Sequence, residues 1–142
     1  MLAIRHGLKL GFRQFVLYGT LDGPRLDHTV ANFQALHFLA DHGAVGYLIG
    51  NTYIATVLRC GSLIFPPTAK GILSLFFSGP DATGVTLTGL QYPLQDAALS
   101  AGFPLGVSNH FQGQPATVTV KTGTLLVLYD RINGFPKREA ML

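Results

Sequence analysis

The stretch VGYLIGNTYIATVL, residues 45–58, decides how the chain folds. Two short runs rich in β-branched and aromatic residues flank Gly50-Asn51, a pair suited to a tight hairpin because both residues tolerate positive φ. From here onward the same pattern repeats. SLIF, GILSLFF, GVTLTGL, PLGVSN, ATVTV and TLLVLY follow, punctuated by GPDATG, NHFQGQP and KTG. Short apolar runs between turn signals every eight to twelve residues predict an all-β sandwich or barrel. The seventeen glycines therefore read as turn punctuation.

Before residue 45 the rhythm is different. LAIRHGLKL, residues 2–10, has helical spacing and a stop at Gly11, and FRQFVLYG is a short apolar strand. After the loop TLDGPR, a helix is predicted from Asp27 to Gly43, with Val30, Phe33, Leu36 or His37, and Ala40 on its apolar face. Helix, strand, loop, helix is the rhythm of an α/β unit. The division expected is thus an α/β remnant at 1–45, a β-sandwich at 46–132 and a polar tail at 133–142 that frays. A lone parallel strand needs neighbours, so the first segment reads as the C-terminal part of a larger α/β domain.

Composition narrows the function classes. The chain has 142 residues, 48% of them apolar, and a mean hydropathy of +0.35, which suits a folded core and not a disordered chain. No apolar run approaches the ~18 residues of a membrane span, and the basic, apolar start lacks the features of a secretory leader. The single cysteine, Cys60, excludes an internal disulfide and a multi-cysteine zinc site. A cytoplasmic location is the expectation. The formal charge of +3 comes largely from two ends, Arg5, Lys9 and Arg13 at one and Arg131, Lys137 and Arg138 at the other. Without a basic stripe interleaved with aromatics, no nucleic-acid partner is expected. Solvated ends are the simpler reading, and a patch for a small polyphosphate is the alternative.

The densest charge lies in RLDHT, residues 25–29. Asp27 at a helix start can accept the unpaired N–H groups of the first turn and complement the positive end of the helix dipole. The same place, where a strand ends and a helix begins, is where open α/β sheets bind ligands. There Arg25 can grip phosphate oxygens with its guanidinium fork and Asp27 can hold Mg²⁺ or a hydroxyl. The histidines His6, His28, His37, His42 and His110 have no metal-ligand spacing. No phosphate-loop, dinucleotide or nucleophile-elbow motif occurs. By themselves, Ser108-Asn109 reads as a turn pair and Tyr92 as a half-buried strand aromatic.

Taken in order, GTLDGPRLDHTVAN, GILSLFF, TLTGLQYPL and GVSN resemble the thiamine pyrophosphokinases from about Leu2 to Tyr129. That resemblance implies a partial Rossmann-like unit that binds ATP, followed by a thiamine-binding β-sandwich, in a homodimer whose thiamine site lies between the two chains. It implies transfer of the β,γ-pyrophosphoryl group of ATP to the hydroxyethyl oxygen of thiamine, giving thiamine diphosphate and AMP, with Mg²⁺ neutralising the phosphates. On this chain it assigns Arg25 and His28 to ATP and Arg25 and Asp27 to catalysis, with Asp27 beside the metal. It assigns Thr88, Gly89, Leu90, Tyr92, Ser108 and Asn109 to thiamine. Tyr92 would stack on the cationic ring, and Ser108 and Asn109 would bind the aminopyrimidine.

Two departures follow. The loop GTLDGPRLDH is one residue longer than the family's glycine pair, and the family's aspartate-rich Mg²⁺/ATP motifs have no counterpart here. A fragment that binds thiamine weakly and catalyses little by itself is the expectation. A non-catalytic thiamine-binding module and a bare structural sandwich are the competing ones.

Overall fold

The computed structural model describes residues 1–79 and 81–140. Pro80 of the expected turn GPDATG, and Met141 and Leu142 of the tail, lie outside them. The chain runs α1 (Leu2–Lys9), β1 (Gln14–Tyr18), α2 (Leu26–Asp41), β2 (Val45–Ile49), β3 (Tyr53–Phe65), β4 (Ile72–Phe77), β5 (Ala82–Thr88), β6 (Leu94–Leu99), β7 (Asn109–His110), β8 (Ala116–Asp130), a 3₁₀ turn at Arg131–Asn133 and β9 (Lys137–Ala140). The architecture is mostly β, in a mixed open sheet.

β1 and β2 are parallel, with Gln14 opposite Val45 and Tyr18 opposite Ile49. α2 is their crossover, so the strand VGYLI belongs to a βαβ unit as well as to the hairpin that follows it. The strand path β1-β2-β3-β8-β4-β7 is continuous across residue 45. Along β1 the exposed residues Gln14, Val16 and Tyr18 alternate with half-buried Phe15 and Leu17.

β3 and β8 are long strands that bend together. Their pairing passes from Arg59 opposite Thr124 to Gly61 opposite Val120, with a bulge at Cys60 (φ +41°) on one side and Gly123 (φ +84°) on the other. A Cβ at Gly123 would come within 2.7 Å of the Asp81 carbonyl oxygen, so the bend needs a glycine both for its φ and for space. The bend wraps the sheet over one core, in which Leu63, Phe65, Val85, Leu87 and Val118 pack with Leu73, Leu75, Val127 and Tyr129. This is the β-sandwich anticipated, but TYIATVL and SLIF are one strand, as are ATVTV and TLLVLY. KTG is a bend inside β8 and not a connection.

Other expectations are corrected. LQDAAL forms β6 although it lacks β-branched alternation; pairing with β5 supplies what local propensity does not. In PLGVSN only Asn109 enters a strand. The tail does not fray over residues 133–140: β9 pairs with β3, and Arg138 donates to the Tyr47 hydroxyl (2.9 Å), the Thr56 hydroxyl and the Val57 carbonyl (3.0 Å). Neither Gly50 nor Asn51 has positive φ. Their turn is held from outside, the Asp22 carboxylate accepting the Asn51 N–H (2.5 Å) and Arg131 donating to the Gly50 carbonyl (3.0 Å).

α2 has two neighbours, which explains why a single stripe misreads it. Leu36, with Phe33 and Ala40, packs on the sheet against Leu48, Ala55, Val57 and Leu126. Ala35 and Leu39 pack against Ile4 and Leu8 of α1. Val30, expected in the core, is exposed.

The helix is also tied to the bend. His37 Nε2 hydrogen-bonds the Ser78 hydroxyl (2.5 Å), and Asp41 pairs with Arg59 (2.8 Å). Burial, helped by Arg59 and opposed by Asp41, pushes the His37 pKa down. The folded state therefore resists protonation: stability is full above the unfolded value of about 6.5 and falls as the pH drops through it toward the lower folded value. His37→Asn is expected to flatten that acid limb in chemical denaturation between pH 7 and pH 5. An unchanged slope would place the sensitivity elsewhere.

Candidate functional site

The residues singled out by the sequence fall into two separate groups. The first lies at the carboxyl end of β1. There the loop from Gly19 to Pro24 leads into α2, whose first residue is Leu26, with Arg25 as the N-cap residue in extended conformation. Asp27 is thus the second helical residue and not the cap. Its carboxylate is held instead in a two-point grip by Arg25, Nε donating to Oδ1 (2.9 Å) and Nη2 to Oδ2 (2.5 Å), both side chains being exposed. The guanidinium, with smaller contributions from the amides of His28 and Asp27, holds the Asp27 carboxyl below its usual range, and Arg25 is correspondingly raised. The carboxylate is an ionised acceptor throughout the physiological range.

Just past this pair, a hollow of about 380 Å³ opens between α1, β1 and α2, lined by His28, Asn32, Thr20, Leu17, Ala31 and Ile4 among others. Asn32 donates to the Thr20 carbonyl (2.8 Å), pinning the loop to the helix. His28 reaches the hollow; Arg25 and Asp27 are not among its lining residues. The residues present do not fit a magnesium ion by themselves. Both Asp27 oxygens are engaged by Arg25, and among the described residues no cluster of three or more carboxylate, histidine or cysteine groups has metal-binding geometry.

The second group lies at the end of β5 and around β7. Gly89 follows Thr88 with φ +70°, and a Cβ there would sit 2.0 Å from the Pro115 carbonyl oxygen. Only glycine lets the chain pass so close to the start of β8. Leu90 is buried and bridges to Phe111. Gln91 N–H donates to the His110 carbonyl (2.9 Å).

Tyr92 and Asn109 are joined by a reciprocal clamp. Asn109 Oδ1 accepts the Tyr92 N–H (2.9 Å), and its Nδ2 donates to the Tyr92 carbonyl (2.7 Å). The same Oδ1 accepts the His110 N–H (3.0 Å), and Asn109 is only 3% exposed. The amide thus mimics a strand partner for the loop carrying Tyr92, whose ring is 57% exposed. Ser108 is exposed at φ +59°, its N–H donating to the Ser74 hydroxyl (3.0 Å). The half-buried strand aromatic expected of Tyr92 is therefore an exposed ring on a fixed backbone. Sequence reasoning missed Ser74, Gln91 and the clamp itself, because each bond has a backbone group as one partner, a pairing that leaves no pattern in side-chain types.

No hydrogen bond or ion pair among the described residues joins the two groups. Among the described residues, no helix is long and apolar enough to cross a membrane.

Comparison with known proteins agrees with this layout. Residues 63–126 match the family described as thiamin pyrophosphokinase, vitamin B1 binding domain, a span containing Thr88 through Tyr92 and Ser108-Asn109. No curated protein matches the chain in sequence. Among solved structures, a thiamine pyrophosphokinase from Bacillus subtilis superposes with a TM-score of 0.83 at 24% identity, over 91% of this chain and 61% of that one. One from Geobacillus thermodenitrificans gives 0.77 at 24% identity, over 91% and 59%. That from Candida albicans gives 0.69 at 16% identity, over 82% and 44%. This chain spans about three fifths of the length of the bacterial structures. Residues 63–126 are thus similar to the vitamin B1 binding domain of the thiamin pyrophosphokinases, on a fold shared with solved thiamine pyrophosphokinase structures.

Proposed function

We propose that the chain binds thiamine through its β-sandwich and serves thiamine pyrophosphokinase chemistry, in which ATP gives its β,γ-pyrophosphoryl group to thiamine and AMP leaves. The observation that carries this reading is the vitamin B1 domain match over the segment where an exposed aromatic ring stands on a clamped backbone beside an exposed hydroxyl. In it, Tyr92 offers a flat face to the cationic thiamine ring, Ser108 offers its hydroxyl, and Thr88, Gly89 and Leu90 form the adjoining wall. Asn109 contributes mainly by fixing Tyr92, with its second Nδ2 hydrogen left for the pyrimidine.

On the α/β side, a Rossmann-like unit at 1–45 presents Arg25, Asp27 and His28 to ATP, and the thiamine-binding unit spans 46–132. Phosphate oxygens would have to displace the Asp27 carboxylate from the Arg25 fork, freeing that carboxylate to accept the hydrogen bond of the attacking hydroxyl. The hydroxyethyl oxygen bonds to the β-phosphorus, the bond from that phosphorus to the α,β-bridging oxygen breaks so that AMP leaves carrying that oxygen, and the hydroxyl proton passes by way of the Asp27 carboxylate to water. No step is assigned to Mg²⁺, since this chain's described residues do not hold one. Because the two groups are unconnected within one chain, a homodimer that brings thiamine to the interface fits best, in the cytoplasm.

The closed Arg25–Asp27 pair specifically favours a second reading, a thiamine-binding module without turnover. Incubation with thiamine and ATP, followed by AMP release, separates them. AMP formed only with thiamine present, and lost in Arg25→Gln, supports the enzyme. Thiamine binding without AMP supports the module. Absence of both rejects the whole proposal.

A further inference from the structure

Arg138, from the second basic end of the chain, meets the first basic end in the fold, although both ends read from sequence as solvated. Arg13 and Arg138 line one hollow of about 650 Å³ at the amino ends of β1 and β2, together with Phe12, Gln14, Tyr47 and Phe135. Arg13 also lines an adjoining hollow of about 330 Å³ with Arg5, Lys9, Phe38 and His42. Neither hollow has a carboxylate in its lining. This is the end of the parallel strands opposite to Arg25.

We propose that this paired hollow binds a phosphorylated compound with a planar ring. The guanidiniums are positioned but not spent. Arg13 is anchored by Nη1 to the carbonyls of Leu8 (3.3 Å) and Phe12 (2.9 Å), leaving Nε and Nη2 without a partner among the described residues. Arg138 is anchored by Nε and Nη2, leaving Nη1. The free Nε/Nη2 edge of Arg13, the free Nη1 of Arg138 and the absence of a competing carboxylate suit a phosphate group. Beside them, Phe12 and Phe135 are 60% and 50% exposed. Phe135 leans on the Tyr47 ring at 4.7 Å between centroids, and Arg138 sits 5.3 Å over that same ring. Exposed phenyl rings flanking cations form a surface that a flat aromatic body covers while its phosphate reaches the arginines.

The test is an NMR titration of the whole chain with 1-naphthyl phosphate, with inorganic phosphate in parallel. Expected are amide shifts at residues 5–14, 38–47 and 135–138. Arg13→Gln should weaken 1-naphthyl phosphate by about tenfold or more, the loss of one charge-assisted contact. Phe12→Ala should weaken 1-naphthyl phosphate but leave inorganic phosphate unchanged, and Arg25→Gln should leave the shifts at these residues unchanged with either probe. Loss of binding in Arg25→Gln with Arg13→Gln unaffected would overturn the site while leaving the ATP proposal intact. So would shifts at these residues that follow protein concentration and not the probe, or no shifts there at all.

Discussion

Asn109→Ala is expected to cost about 2 to 4 kcal/mol of unfolding free energy, because it strands two backbone N–H groups and one carbonyl that the amide now satisfies in a buried position. Water can reach some of them once the side chain is gone, which keeps the loss below the sum of three full penalties. The loop carrying Tyr92 then keeps the Gln91–His110 backbone bond to β7 but loses the clamp on Tyr92 itself, so thiamine binding falls with stability. Asn109→Asp separates the two roles of the amide. It keeps the acceptor for Tyr92 and His110 N–H but loses the donor to the Tyr92 carbonyl, so it should fall between wild type and alanine in urea denaturation. An alanine variant as stable as wild type would show that the clamp does not hold the loop.

Gly89→Val should have a comparable or larger effect, about 3 to 5 kcal/mol, by a different route. Its φ of +70° is unfavourable for a β-branched residue, and the added Cβ would overlap the Pro115 carbonyl and the Ala116 backbone. Backbone cannot rotate away as a side chain can, so β5 and β8 must separate at their Thr88–Thr117 end. Thermal denaturation reads the loss directly. A melting midpoint within a degree or two of wild type would mean that this crossing is looser than its geometry.

Much of this was legible in the sequence, for identifiable reasons. α1, β1 and α2 announced themselves because apolar periodicity and turn residues agree there. The hairpin at residues 45–58 formed where Gly50-Asn51 interrupts two strand-like runs, although outside contacts from Asp22 and Arg131 hold it, not the positive φ that the pair permits. The long β3 and β8 were cut in two on paper because a glycine supplying a bend looks the same as a glycine ending a strand. β6 and β9 were invisible because their pairing is decided by neighbours distant in sequence. Tyr92 was located by motif order, but its exposure depends on Asn109 seventeen residues away, and no local pattern encodes that bond. The convergence of Arg13 with Arg138 is equally nonlocal, created only when β9 lies against β3.

Isothermal titration of thiamine into wild type and Tyr92→Ala tests the central claim most directly. The ring is exposed, its backbone carries the bonds to Asn109, and its hydroxyl accepts only an exposed bond from Gln91 (3.3 Å), so the variant should fold with a nearly unchanged melting midpoint. Binding is expected in wild type and should weaken by about 1 to 2 kcal/mol in Tyr92→Ala, as loss of a cation–π platform predicts. Equal affinity in the two proteins, or no binding to a folded wild type, would contradict it.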